Sequence, residues 1–371
     1  MEQKIKRFHT VGDGSGIART DAITREELAL ALRNHGMPLE GLRYDVTPTG
    51  MHYVLVHFDV PFVEATAYRL EIDGLVERPL KLSLDDIKRR PRVTLAVTME
   101  CAGNGRALMH PRPISQPWTN EAIGTAEWTG TPLAPLLREA ALRGETKDIV
   151  FTGADRGVQG DEVQYYQRAL TPEDATRDEV LLVYEMNGRP LEPQHGFPLR
   201  LLVPGWYGMT SVKWLTSIEA IGERFAGYQQ SEAYHFTDAD GAATEPVSLL
   251  RPRALMTPPG IPDFLTRSRL LEAGNVTLTG RAWAGRAEVR RIEVSTNNGG
   301  SWQEGKLAEP AGKFAWRGWS FDWHATPGAN MLAVRATDAD GRVQPDEFWN
   351  AQGMGNNACQ RVEVMVEKRL A

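Results

Sequence analysis

Past about residue 276, apolar side chains recur at every second position and show no helical period. The stretch WSFDW at 319–323 sets Trp319, Phe321 and Trp323 against Ser320 and Asp322, the pattern of a strand with one buried face. VTLTGRAW, VRRIEVSTN, WQEGKL, MLAVRATD and CQRVEVMVE follow one another without a helix between them, and NNGG at 297–300 offers the turn of a hairpin. A sequence of this kind buries its apolar atoms as stacked sheets.

Six or so strands in succession predict a β-sandwich of immunoglobulin type, without a bridging disulfide for want of a suitable cysteine pair. The chain ahead of them is different. YRLEIDGLV, IVFTG, LLVYEM, LRLLVP and also VLVHFDV at 54–60 read as strands, while LDDIKRR and PLAPLLREAAL read as helices. Their irregular spacing suits an α+β domain better than repeated βαβ units. REELALALRNHG at 25–36 reads as a short helix with Leu28, Leu32 and Ala31 on one face and Gly36 at its end. Residues 1–24 read as a flexible tail; their GDGSG at 12–16 has neither a preceding strand nor a following lysine to make a phosphate loop. EPVSLLRPRALMTPPGIPDF at 245–264 reads as a proline-rich linker. The expected organisation is therefore a tail at 1–24, an α+β domain at 25–240 and an all-β domain at 241–371.

The totals narrow the function. A net charge of -6 argues against a general nucleic-acid binder, so an anionic substrate must be drawn in by local arginines. No uncharged apolar run reaches the ~18 residues of a membrane helix. MEQKIKRFHT has no apolar stretch resembling an export signal, which points to the cytoplasm. Two cysteines in 371 residues make no disulfide framework, and no zinc-type or haem-attachment spacing occurs.

One of the two cysteines stands in TMECAGNGR at 98–106. Ala102, Gly103 and Gly105 let another group approach the backbone, and Arg106 favours a thiolate if it lies close. Cys101 can be a packed thiol, a nucleophile served by His35, His110 or His195, or a soft ligand for a transition metal. Cys359 reads as packing. VPGWYGMTSVKW at 203–214 is either an ordinary loop or one that binds phosphate through backbone N–H groups and Lys213.

TMECAGNGR, YEMNG at 184–188, HGFPLRLLVPG at 195–205 and SVKWL at 211–215 stand in this order. Together they resemble the sulfite oxidase family of molybdenum enzymes, and WNAQGMGNNACQRVEV at 349–364 is similar to that family's C-terminal strand region. The likeness runs from Arg33 to the final strand. It implies an α+β domain of sulfite-oxidase type that binds molybdopterin, followed by an all-β immunoglobulin-like domain that makes a homodimer. Cys101 would be the thiolate that ligates molybdenum, beside the two sulfurs of the pterin. Arg33 and His35 would line the pocket and touch the cofactor. Asp155, His195, Arg200, Ser211, Val212 and Lys213 would hold the pterin phosphate. Arg106, Trp118 and Tyr234 would form the substrate pocket with Arg33, and Tyr184 is read as structural.

The same likeness implies oxidation of sulfite to sulfate by oxo transfer at molybdenum. Without CxxCH or a cytochrome b5-like module there would be no haem in this chain, and electrons would pass to a cytochrome or to oxygen. One departure stands out. Typical sulfite oxidases have an arginine where this chain has Gln352, and losing such a charge-assisted contact weakens anion binding by about 1.5–3 kcal/mol when desolvated. Sulfane sulfur or nitrate as the substrate, and a binding subunit without cofactor, are the alternatives.

Overall fold

A computed structural model describes residues 19–20, 22–238 and 241–368. The GDGSG segment lies outside them. Thr24 accepts from the Glu27 amide while Glu27 reaches back to the Thr24 amide, a reciprocal cap that starts the helix Arg25–Arg33. The buried face of this helix is not the expected one. Leu28 and Leu32 are exposed and Glu27 is fully buried, because its carboxylate takes a paired contact from the Arg112 guanidinium. The helix stops at Arg33, ahead of Gly36, where Asn34 turns extended and sends its side chain inward to Leu30 O, Gln116 and the Val56 amide.

Two sheets build the N-terminal half, the first antiparallel and the second mixed. In one, Arg189–Pro190, Leu181–Met186, Ile123–Pro132 and Val93–Glu100 lie side by side, with Arg200–Leu202 also on Leu181–Met186. The other runs Leu80–Ser83, Arg69–Gly74, Leu215–Ile221, Asp148–Gln159, Glu162–Leu170, and in it only Leu215–Ile221 and Arg69–Gly74 are parallel. Short helices Leu84–Lys88 and Leu133–Ala140 pack on this framework. Several of its strands escape the sequence reading, among them Leu80–Ser83, Val93–Glu100, Ile123–Pro132 and Glu162–Leu170; Ile123–Pro132 is buried on both faces and shows no alternation.

The segment VLVHFDV is not a strand. Val54 pairs with His35, but the Val56 amide donates to Asn34 Oδ1 and Leu55 O accepts from Lys213, so side chains take the ladder's partners. The alternation survives and does other work. Val54 and Val56 pack on Trp214, while Leu55 and His57 face the opposite way into a cleft.

Beyond Arg253 the chain forms a four-stranded sheet (Arg253–Met256, Gly274–Trp283, Arg317–Ala325, Lys306–Leu307) and a six-stranded one (Ile261–Pro262, Arg269–Glu272, Gln360–Glu367, Gly328–Asp338, Val289–Ser295, Gln303–Glu304). Trp319 and Trp323 point into the core between them, with Leu278, Ile292, Leu332 and Val364, as the period of two requires. The 297–300 turn joins Val289–Ser295 to Gln303–Glu304. The supposed linker is partly core: every residue of Arg253–Met256 is buried and paired to Gly274–Trp283. Among the described residues no helix is long and apolar enough to cross a membrane.

Candidate functional site

Val93–Glu100 ends at Cys101, which opens a tight loop at the base of the cleft. The Cys101 amide donates to Ala122 O and its carbonyl accepts from the Asn104 amide. Gly105 has φ +95, and a Cβ on Gly103 would lie 2.6 Å from Arg106 Nη2, so these glycines let Arg106 fold back under the loop. Behind it sits a charged anchor. Arg253 Nη1 donates to Glu100 Oε1 at 2.8 Å and to the Asn104 and Asn356 carbonyls, and Nη2 donates to Asn120 Oδ1. Asn104 and the Trp283 indole complete the Glu100 carboxylate.

Burial pushes the Cys101 thiol up, and Arg106, the Gly103 amide and the Trp118 indole pull it back toward the thiolate. Arg106 is itself buried, and burial lowers its pKa against the opposing pull of Cys101 and Tyr234. Its contacts are soft: Nη2 meets Met354 Sδ at 2.8 Å and Nη1 reaches Gln116 O at 3.5 Å, while Nε has no partner.

The cleft above Cys101 is lined among others by His52, His57, Asp155, His195, Arg200, Ser211 and Lys213. Its basic groups outnumber its acids. Arg200 donates to the His195 and Ser211 carbonyls, leaving Nε unbonded; burial brings its pKa down to about 10. Lys213 donates to Leu55 O and Gln194 O and is brought down to about 7, by burial first and then by Arg200. Burial holds His52 near 4 and His195 near 2, so both are neutral at pH 7. His52 Nε2 has no partner. Buried cations with spare donors and so little counter-charge form a site for an anion.

Asp155 is the carboxylate in this lining, and burial pushes it up to about 6 against the pull of Lys213. A carboxyl raised from 3.8 favours the folded state below pH 4 and loses that contribution as pH climbs through 6. Asp155→Asn without cofactor should therefore gain about 1–3 kcal/mol on the wild type above pH 7, with the gap closing near pH 4. Thermal midpoints at pH 4, 6 and 8 test this, and a gap that does not change with pH would contradict it.

Beside His57, Tyr234 is buried with its hydroxyl 2.6 Å from His57 Nε2. Burial, then Lys213 and Arg106, hold His57 near 3, hence neutral. The His57 ring lies on Tyr166 at 4.6 Å.

The structure thus brings Cys101, Asp155, His195, Arg200, Ser211 and Lys213 into one lining. Arg106, Trp118 and Tyr234 are buried outside that lining. Val212 is buried too, and its amide bonds locally to Thr210 O. Arg33 and His35 are exposed and outside the lining, which Leu55 and His57 share instead. Arg33 Nη2 bonds Phe58 O, and its charge is felt at Lys213. Gln352 spends its amide on Glu232 O, the His235 amide and His235 Nδ1. It braces the segment carrying Tyr234 and makes no hydrogen bond to Arg106. Sequence reasoning missed His52, Tyr53, His57 and Tyr166. The signal was the histidine pair in HYVLVH at 52–57, masked by reading that run as an ordinary strand.

Residues 57–229 match the family Oxidoreductase molybdopterin binding domain, and residues 255–367 match the Mo-co oxidoreductase dimerisation domain. Sulfite oxidase of Gallus gallus is 33% identical over 338 residues, covering 85% of this chain and 72% of that protein. Mitochondrial sulfite oxidase of Homo sapiens is 33% identical over 348 residues, and the chain spans 62% of its length. Nitrate reductase [NADH] 1 of Arabidopsis thaliana is 32% identical over 359 residues, with 38% of its length covered. The crystal structure of sulfane dehydrogenase SoxCD from Paracoccus pantotrophus has a similar fold, with a TM-score of 0.77 at 24% identity over 100% of this chain and 98% of that one.

Proposed function

The chain belongs to the sulfite oxidase family of molybdopterin oxidoreductases, and from that premise we propose that it oxidises sulfite and passes the electrons to an external acceptor. Its cofactor is molybdenum held by molybdopterin. The residues fit that group. Among the described residues no cluster of three His, Cys, Asp or Glu could hold a metal, so a metal at Cys101 must bring its other donors with it, as a dithiolene does. The unbonded Nε–H of Arg200 and the Lys213 side chain suit the cofactor's phosphate. When bound, the cofactor supplies two-electron oxygen-atom transfer.

The observation that carries the substrate reading is Arg106, a buried guanidinium beside Cys101 with no carboxylate bonded to it among the described residues. It offers a charged donor to an oxyanion in a site of low dielectric, where such a contact counts most. Tyr234 presents a hydroxyl whose ionisation is strongly resisted, burial being the chief cause. The neutral His57 ring accepts a hydrogen bond from that hydroxyl on the cleft side and so fixes its direction. Trp118 closes the wall behind the thiol and limits water. Arg33 stands as an exposed cation at the rim on this reading, with His35 close by in sequence, where it meets an incoming anion first.

We read residues 25–240 as the catalytic domain and 241–371 as an immunoglobulin-like domain through which two copies pair, which the dimerisation-domain match supports. Sulfane sulfur or nitrate is the second reading, favoured by the neutral Gln352. The loaded protein should reduce ferricyanide in the presence of sulfite and should not oxidise reduced viologen in the presence of nitrate. Nitrate turnover with no response to sulfite would overturn the substrate assignment and leave the cofactor assignment standing.

A further inference from the structure

Arg168 is a fully buried charge in the N-terminal half. It lies on Glu162–Leu170, two residues after Tyr166 and so on the same face of the strand. No acidic group bonds it among the described residues. Nη1 donates to Gln229 O, Nη2 donates to Val247 O at 3.1 Å, and Nε has no partner. Two carbonyl dipoles do not offset the desolvation of a full charge. Its guanidinium carbon lies 5.9 Å from the centre of the Tyr234 ring, whose hydroxyl meets His57 at the cleft. Tyr234 is therefore held between a cation behind its ring and an imidazole at its hydroxyl.

The geometry points to Arg168 as a positioning residue for oxyanion binding: it fixes the Tyr234 ring and adds positive potential to the site from behind it. This rests on the reading that Cys101, Arg106 and Tyr234 border an oxyanion pocket. Gln352, which bonds Glu232 and His235 on either side of Tyr234 in sequence, is neutral and supplies no such charge. The opposing possibility is a latch that ties residues 229 and 247 together and does nothing for the substrate.

The two differ in what a lysine can replace. An ammonium keeps the charge but cannot span both carbonyls. In the loaded enzyme, Arg168→Met should raise KM for sulfite and the competitive Ki of inorganic sulfate at least tenfold, with a smaller change in kcat. Arg168→Lys should bring both constants back to within threefold of wild type even where its thermal midpoint stays lowered. Sulfate-induced stabilisation in a thermal shift should follow the same order without turnover. Wild-type constants in a folded Arg168→Met would overturn the inference. Should that variant not fold, an Arg168→Lys protein as impaired toward sulfate as Arg106→Met would do so. A wild-type enzyme that neither oxidises sulfite nor binds sulfate would instead remove the oxyanion reading itself.

Discussion

Cys101→Ser should keep its fold and lose its metal. The serine hydroxyl replaces the thiol at nearly equal volume, and the turn around it is made by backbone groups of Cys101, Asn104 and Ala122. The thermal midpoint of the unloaded protein should move little. Molybdenum retention should fall sharply, by more than the roughly 10–100-fold that follows from disturbing a ligand's mere neighbours, because a hard hydroxyl replaces a soft thiolate. On the proposed reading pterin can stay behind, since Arg200, Lys213 and their neighbours would hold it away from position 101. Metal and pterin per chain, measured separately, distinguish this from a failure to load at all. Stoichiometric molybdenum with full activity in the serine variant would refute the assignment.

Arg253→Met should be the most destabilising single change near the site. It leaves the Glu100 carboxylate buried with only Asn104 and Trp283 as donors. Breaking a buried pair on one side costs about 3–5 kcal/mol, on the order of 10 °C in a chain of this size. Glu100→Gln in the same chain should restore part of it by removing the stranded charge. Because Arg253 also bonds Asn104 O, the single variant should load less molybdenum as well. Unchanged stability and loading in Arg253→Met would show that the anchor is ornamental.

Much of the site was legible because its residues sit in short contiguous runs. TMECAGNGR delivers Cys101 and Arg106 within one loop, and HGFPLR with SVKWL delivers His195, Arg200, Ser211 and Lys213 on either side of Arg200–Leu202. The C-terminal sheets were legible for a different reason: one solvent face forces a period of two. What stayed hidden depends on contacts distant in sequence. The hydrogen bonds that deny strand pairing to residues 54–60 come from Asn34 and Lys213. Glu27 is buried only because Arg112 meets it, and no helical pattern marks a carboxylate as the inward side. Arg168 looks like any surface arginine until the fold closes over it.

The Glu100–Arg253 pair also imposes an order in time. The two residues are separated by 153 positions, so the ribosome exposes the Cys101 loop long before the guanidinium that steadies it. Until Arg253 and the Asn356 carbonyl arrive, Glu100 is an unmatched carboxylate that prefers water, and the loop has reason to stay open. The anchor of the Cys101 loop is complete only once residue 356 has been made, and a nascent chain halted before residue 253 should not retain molybdenum.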